Sequence, residues 1–175
     1  ITLKVWPQDC ISRSEDRCCG PEAVHDAQGV AHTLGIRHYL MNEVEEFNQQ
    51  LIQYFADEYK AGRTPNPCVM CNEKTKFGTL IRCARQLDTD FVATGHYARV
   101  DRESMPGRVL LRRARDLRKD QSYFLFSLKQ DQLAFILFPL GELTKPETRE
   151  VARSCQLRTA DKEESMEICF VPDHD

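Results

Sequence analysis

The stretch Phe91-Val92-Ala93-Thr94-Gly95 decides the fold class. Its apolar composition reads as a short buried strand closed by a glycine. It arrives directly after Phe77, Leu80, Ile81, Ala84 and Leu87, which recur at helical intervals and predict a helix over 71–87. Working outward, Ile1-Thr2-Leu3-Lys4-Val5-Trp6 alternates like a strand that Pro7 ends. Pro21 opens a helix reaching His32, 36–41 reads as a second strand, and 43–59 as another helix. Strands alternating with helices predict an α/β domain built on a parallel sheet. Beyond Gly95, Ala98-Arg99-Val100 pairs with Val109-Leu110-Leu111 as a hairpin through Pro106-Gly107. The pattern then turns helical over 121–128, 130–137 and 145–155, with Pro146 in a first turn. Polar residues around 102–107 mark a soft boundary between an α/β part over 1–105 and a hairpin and helical part over 106–175.

Composition narrows the function classes. With 175 residues, 41% hydrophobic and 29% charged, the chain has the make-up of a soluble globular domain with a sizeable core. No apolar run approaches a membrane span, so no membrane partner is expected. The net charge of −3 gives no global sign of nucleic-acid binding. A local patch does, because Arg108, Arg112, Arg113, Arg115, Arg118 and Lys119 fall within one short stretch. Its plainer reading is a solvated hairpin and helix entry.

The eight cysteines are irregularly spaced and no secretory segment is read, which argues for a reducing compartment rather than a disulfide scaffold. Cys71 lies in Arg63-Thr64-Pro65-Asn66-Pro67-Cys68-Val69-Met70-Cys71-Asn72, where two prolines stiffen the backbone before the predicted helix. A thiol at that helix start sits at the positive end of the dipole, which favours the thiolate. Cys169 lies in Ser165-Met166-Glu167-Ile168-Cys169-Phe170. On residue type alone, each cysteine is as readily a buried apolar group as a reactive one. Cys83 and Cys155 fall within predicted helices and read as core, and Cys10, Cys18 and Cys19 as packing or exposed thiols.

These stretches resemble a known family. The cysteine loop, Ala93-Thr94-Gly95-His96-Tyr97-Ala98-Arg99, Lys119-Asp120-Gln121-Ser122-Tyr123-Phe124-Leu125, Phe138-Pro139-Leu140-Gly141-Glu142-Leu143-Thr144-Lys145-Pro146 and Ile168-Cys169-Phe170 look like the tRNA-specific 2-thiouridylases, block after block in the same order. The resemblance implies a parallel-sheet PP-loop ATPase domain of the adenine-nucleotide α-hydrolase type, followed by a mostly helical segment. The family's phosphate loop contains adjacent glycines, and no two glycines are adjacent here. The chain therefore resembles a piece lacking the first strand and that loop, as well as the C-terminal domains. Its inner strands are expected to be left with open ladders, making the isolated chain marginal and inactive.

The resemblance also implies roles. It predicts ATP-dependent 2-thiolation of wobble uridine in tRNA, with Mg2+ accompanying ATP in the absent loop. A cytoplasmic location and a sulfur-carrier protein fed by a cysteine desulfurase are expected. Cys71 matches the nucleophile and Cys169 the persulfide carrier; a disulfide between them settles the electrons left by delivering one sulfur atom. Leu3 and Gly95 match nucleotide-contacting positions, and Asn66, Pro67, Cys68, His96, Lys119, Asp120 and Gln121 match tRNA-contacting ones. Cys68 stands where many members carry Asp, and Glu167 where many carry Gly. No metal ligand set is predicted. Cys68-x-x-Cys71 nevertheless leaves an iron-sulfur cluster, a non-catalytic RNA-binding remnant or a thioredoxin-like pair as alternatives.

Overall fold

The computed structural model describes residues 1–5 and 21–162. It divides into two compact units, Ile1–Pro67 together with the chain from Arg149 onward, and Cys68–Thr148. In the first unit, β1 (Thr2–Lys4) and β2 (Leu40–Asn42) run parallel, Leu3 opposite Met41, and α1 (Pro21–Thr33) lies between them in sequence. This β-α-β order is the one the alternating pattern predicts. The second strand begins later than expected because the Ile36 amide is spent on the end of α1, donating to the Ala31 carbonyl at 3.0 Å. Further along, α2 (Val44–Phe47) continues through a π-helical turn, Asn48–Ile52, into α3 (Gln53–Lys60). Phe47 and Leu51, four residues apart, are both buried. Gly62, at φ +73°, closes this helix with a left-handed turn. Arg63 then forks onto Glu58 at 2.6 and 2.5 Å, so the first residue of the cysteine loop is tied to the preceding helix.

The helix expected over 71–87 starts earlier, with Pro67 at its first position, where the missing amide costs nothing. It runs as α4 (Pro67–Met70), a π-helical segment Cys71–Thr79, and α5 (Leu80–Gln86). The wider π turn carries Asn72, Thr75 and Thr79 inward beside Phe77. Leu87, counted with the core by its spacing, is exposed.

In the second unit, β3 (Val92–Ala93) pairs in parallel with β6 (Ile136–Leu137). The sequence reads 130–137 as one helix, but α6 (Gln130–Ala134) stops short of it. Two tertiary contacts override the local pattern. The Val92 amide takes the Phe135 carbonyl at 2.9 Å, and the Arg102 guanidinium donates to the Ile136 carbonyl at 2.7 Å. Phe91 and Ala93 remain exposed, so this strand is not the buried one its composition suggested. The predicted hairpin forms between β4 (Ala98–Asp101) and β5 (Leu110–Arg113), Val100 opposite Leu111. Both strands belong to the second unit, on either side of residue 105. The stretch 121–128 forms only a 3-10 turn, Ser122–Leu125, and α7 spans Lys145–Ser154. Thr144 caps α7 reciprocally with Glu147, whose carboxylate accepts from the Thr144 amide at 2.7 Å. Among the described residues no helix is long and apolar enough to cross a membrane.

Phe77 and Ile136, fully buried, anchor the core of the second unit, with Phe138 edge-on to Phe77 at 6.2 Å. Gly141 closes this core against β4. A Cβ there would lie 1.9 Å from the Ala98 carbonyl oxygen, a separation no side chain tolerates. Gly141→Ala is therefore expected to lower unfolding free energy by about 1–3 kcal/mol, measured by urea denaturation. An unchanged midpoint would contradict this close approach.

Candidate functional site

Cys68 is exposed in the first turn of the helix that opens at Pro67, and Cys71 is half-buried at the start of the π segment. The dipole acts within the first turn, so its field falls on Cys68 more than on Cys71, the reverse of the sequence-based expectation. Asn66 is half-buried and Pro67 buried beside them. Cys169, Cys10, Cys18, Cys19 and Glu167 lie outside the described residues. Cys83 is half-buried, whereas Cys155 is exposed and not part of the core the sequence suggested.

Directly after Cys71, the Asn72 side chain organises a buried hydrogen-bond chain. Its Nδ2 donates to the Phe124 carbonyl at 3.2 Å, which turns Oδ1 toward His96 Nε2 at 3.1 Å. Nε2 therefore carries the proton, and Nδ1 accepts from the Thr94 hydroxyl at 2.8 Å. The ring is also packed against Phe77 and Phe138. Burial, reinforced by the Lys76 charge, pushes the His96 pKa down from 6.5 to about 3. His96 is thus a neutral, buried positioning group, with both ring nitrogens engaged inside the protein.

Two residues of the Lys119-Asp120-Gln121 triplet are likewise turned inward. Gln121 Oε1 accepts from the Tyr97 amide at 2.9 Å while its own amide donates to the Tyr97 carbonyl at 2.8 Å, imitating a strand ladder. The Asp120 carboxylate accepts from the Ala114 amide at 2.8 Å and the Ser122 hydroxyl at 2.8 Å. Burial would raise its pKa, but these hydrogen bonds and Arg113 outweigh it and hold the carboxyl below its ordinary range. Lys119 is half-buried on the same turn. The neighbouring basic stretch is partly neutralised from within, since Arg112 pairs with Asp101, Arg113 with Asp120 and Arg115 with Glu147. All three arginines remain at the surface, where such pairs are weak enough to exchange for other anions.

Of the positions matched to a nucleotide, Leu3 is half-buried on β1 and Gly95 is exposed just beyond the carboxyl end of β3. The nearest atom to a Cβ built on Gly95 is Leu140 Cδ1 at 3.8 Å, so its backbone is open to approach. No paired glycines for the phosphates of a nucleotide occur in the sequence. Among the described residues no three His, Cys, Asp or Glu side chains gather as a metal-holding group. Asn72 and Thr94, which fix the site's geometry, were missed by sequence reasoning. Their signal was only their adjacency to Cys71 and Gly95.

A family model described as the tRNA methyl transferase HUP domain matches residues 1–173. The chain belongs to this family. The HUP fold agrees with the parallel strands and intervening helices described above. The whole chain aligns at 51% identity with a protein of Geobacter metallireducens named tRNA-specific 2-thiouridylase MnmA, of which it covers 48%. A Heliobacterium modesticaldum protein of the same name is 49% identical over the whole chain, with 46% of its own length covered. One from Clostridioides difficile is 43% identical, with 48% covered. The chain thus spans about half the length of the curated relatives it matches.

Because the HUP-domain chain keeps His96 neutral, the stability this residue confers is complete above its unfolded value of 6.5 and is lost as pH falls toward about 3. Between pH 6.5 and about pH 5 the parent should lose about 1–2 kcal/mol that a His96→Gln variant does not lose, read from urea unfolding at each pH. Parallel profiles for the two proteins would refute a neutral buried imidazole.

Proposed function

We propose that this chain belongs to a tRNA 2-thiouridylase, a sulfurtransferase that replaces the C2 oxygen of wobble uridine in tRNA with sulfur in an ATP-dependent reaction. The observation that carries this reading is the alignment of the whole chain, at 43–51% identity, with relatives bearing that name. ATP, accompanied by Mg2+, would supply the leaving group that makes C2 electrophilic; Leu3 and Gly95 would contact its nucleoside part. The remaining chemistry belongs to thiols. The outer sulfur of a persulfide on Cys169 bonds to C2 as the activated oxygen departs with its electron pair. The Cys71 thiolate then attacks Cys169 Sγ, breaking the S–S bond and leaving sulfur on the uridine. A Cys71–Cys169 disulfide takes up the two-electron oxidation, and an external thiol reduces it.

Cys68, exposed one turn before Cys71, would face the target base together with Asn66 and Pro67. Asp120, Gln121 and His96 would serve tRNA binding by shaping the surface that Lys119 and the surrounding arginines present. In this reading 1–105 is the partial nucleotide-binding part and 106–175 the beginning of a tRNA-contacting segment. The protein would work in the cytoplasm, receiving sulfur from a carrier protein fed by a cysteine desulfurase.

The test is transfer of labelled sulfur to wobble-uridine tRNA by this chain joined to the remaining length of one of its relatives. Cys71→Ser and Cys169→Ser should each reduce thiouridine formation by at least about a thousandfold, as expected when a covalent nucleophile is removed. Retained activity in either variant would overturn its thiol role. An inert parent that is coloured and rich in iron would favour an iron-sulfur reading instead.

A further inference from the structure

The 3-10 turn Ser122–Leu125 and the residue that closes it, Phe126, carry an aromatic pair that the second unit leaves uncovered. Side chains three residues apart in 3-10 geometry eclipse one another. Leu125 and Leu128 take the inward side of this turn and join the core, so Tyr123 and Phe126 share the outward side. They are 65% and 66% exposed, with ring centroids 6.1 Å apart and planes tilted by 42°. Phe124 stands edge-on to Tyr123 at 5.6 Å and braces it. The backbone beneath is pinned at both ends of the turn. The Phe124 carbonyl accepts from Asn72 Nδ2 at 3.2 Å, and the Ser122 hydroxyl donates to Asp120 at 2.8 Å. Two large rings are thus held facing water, with their apolar area unburied until a partner covers them.

The charge beside the rings says what that partner is. Arg113 Nε reaches Asp120 Oδ2 at 3.4 Å, the same oxygen that the Ser122 hydroxyl holds, which places a guanidinium at the first residue of the turn. The Arg113 side chain is mostly exposed, and a surface pair of this kind exchanges readily for another anion. Aromatic faces next to an exposed guanidinium are the combination that holds single-stranded nucleic acid, the rings taking bases and the cation the backbone. A stable protein interface needs about 800 Å² from each partner, far more than two rings supply. We propose that Tyr123 and Phe126 form a stacking platform for unpaired bases of the RNA substrate, with Arg113 on the adjoining phosphate. This rests on the tRNA reading given above and narrows it to loop nucleotides, because only unpaired bases have free faces to stack. Asn72, which follows Cys71, holds the turn by its amide, so a base captured here is tied to the helix that carries the candidate nucleophile.

The test measures binding of two RNAs by the full chain at physiological ionic strength: a hairpin whose unpaired loop carries 2-aminopurine, and a blunt duplex with the sequence of its stem. The hairpin should bind more tightly, and its fluorescence should fall as the loop base stacks. Tyr123→Ala and Phe126→Ala should each weaken hairpin binding by about tenfold, reduce the quenching, and leave duplex binding and the unfolding midpoint unchanged. Tyr123→Phe and Phe126→Tyr should restore both signals. Arg113→Gln should weaken both RNAs alike and lower the salt dependence by about one released counterion. No sulfur is transferred in this measurement, so its outcome is separate from that of the thiol assay. Alanine variants that bind and quench like the parent would overturn the platform and leave the tRNA reading standing; a parent that binds neither RNA would overturn both. Unchanged RNA binding in alanine variants that lose affinity for an added sulfur-carrier protein would give the surface to a protein and also overturn the proposal.

Discussion

The Asn72 amide is the constraint on which the second unit depends. It holds His96 with its oxygen and the Phe124 carbonyl with its nitrogen, joining the π segment to the end of β3 and to the 3-10 turn. Asn72 and His96 are buried and Phe124 is half-buried, so losing one partner leaves the others poorly satisfied, at about 1–3 kcal/mol for each orphaned buried group. The π-helical widening that starts at Cys71 accompanies this inward placement of Asn72. The backbone that carries the candidate nucleophile is therefore set by a hydrogen-bond chain whose other end lies beside Gly95.

The same economy governs the polar triplet at 119–121. Gln121 completes a ladder with Tyr97, and Asp120 gathers the amide of Ala114 and the hydroxyl of Ser122. A motif can be tied to RNA binding without every side chain touching RNA. Here two of three hold the strand ends and the turn in register, while the surface is made by what surrounds them, including the exposed rings of Tyr123 and Phe126. These rings lie tilted against one another at 6.1 Å and present aromatic faces of the kind that accept bases.

Much of the fold was legible because it rests on local signals. The β-α-β order came from periodicity, the hairpin from Pro106-Gly107, and the last helix from Pro146 in its first turn. The failures share a cause. Ile136 and Leu137 continue a helical pattern but are captured by Val92 and by Arg102, partners remote in sequence. Residues 36–39 have strand composition, but the end of α1 takes the Ile36 amide first. In the site, residue types and order marked Cys71, Gly95 and His96. Burial decided what His96 does, and no pattern of neighbours along the chain could have revealed that its two ring nitrogens meet Thr94 and Asn72.

The position of the helix start separates two cysteines that look equivalent in the motif. Pro67, not Cys71, opens the helix, so Cys68 falls in the first turn, where the helix dipole acts most strongly. Cys71 lies one turn further on, half-buried, above a core sealed by Phe77. Cys68 is thus the more exposed of the two thiols and Cys71 the more enclosed. A pair separated by two residues on a regular helix lies nearly on one face, and here the change from α to π geometry at Cys71 alters the angle between them. The helix that makes them neighbours also gives them different surroundings, which favours a division of labour over a symmetric redox pair.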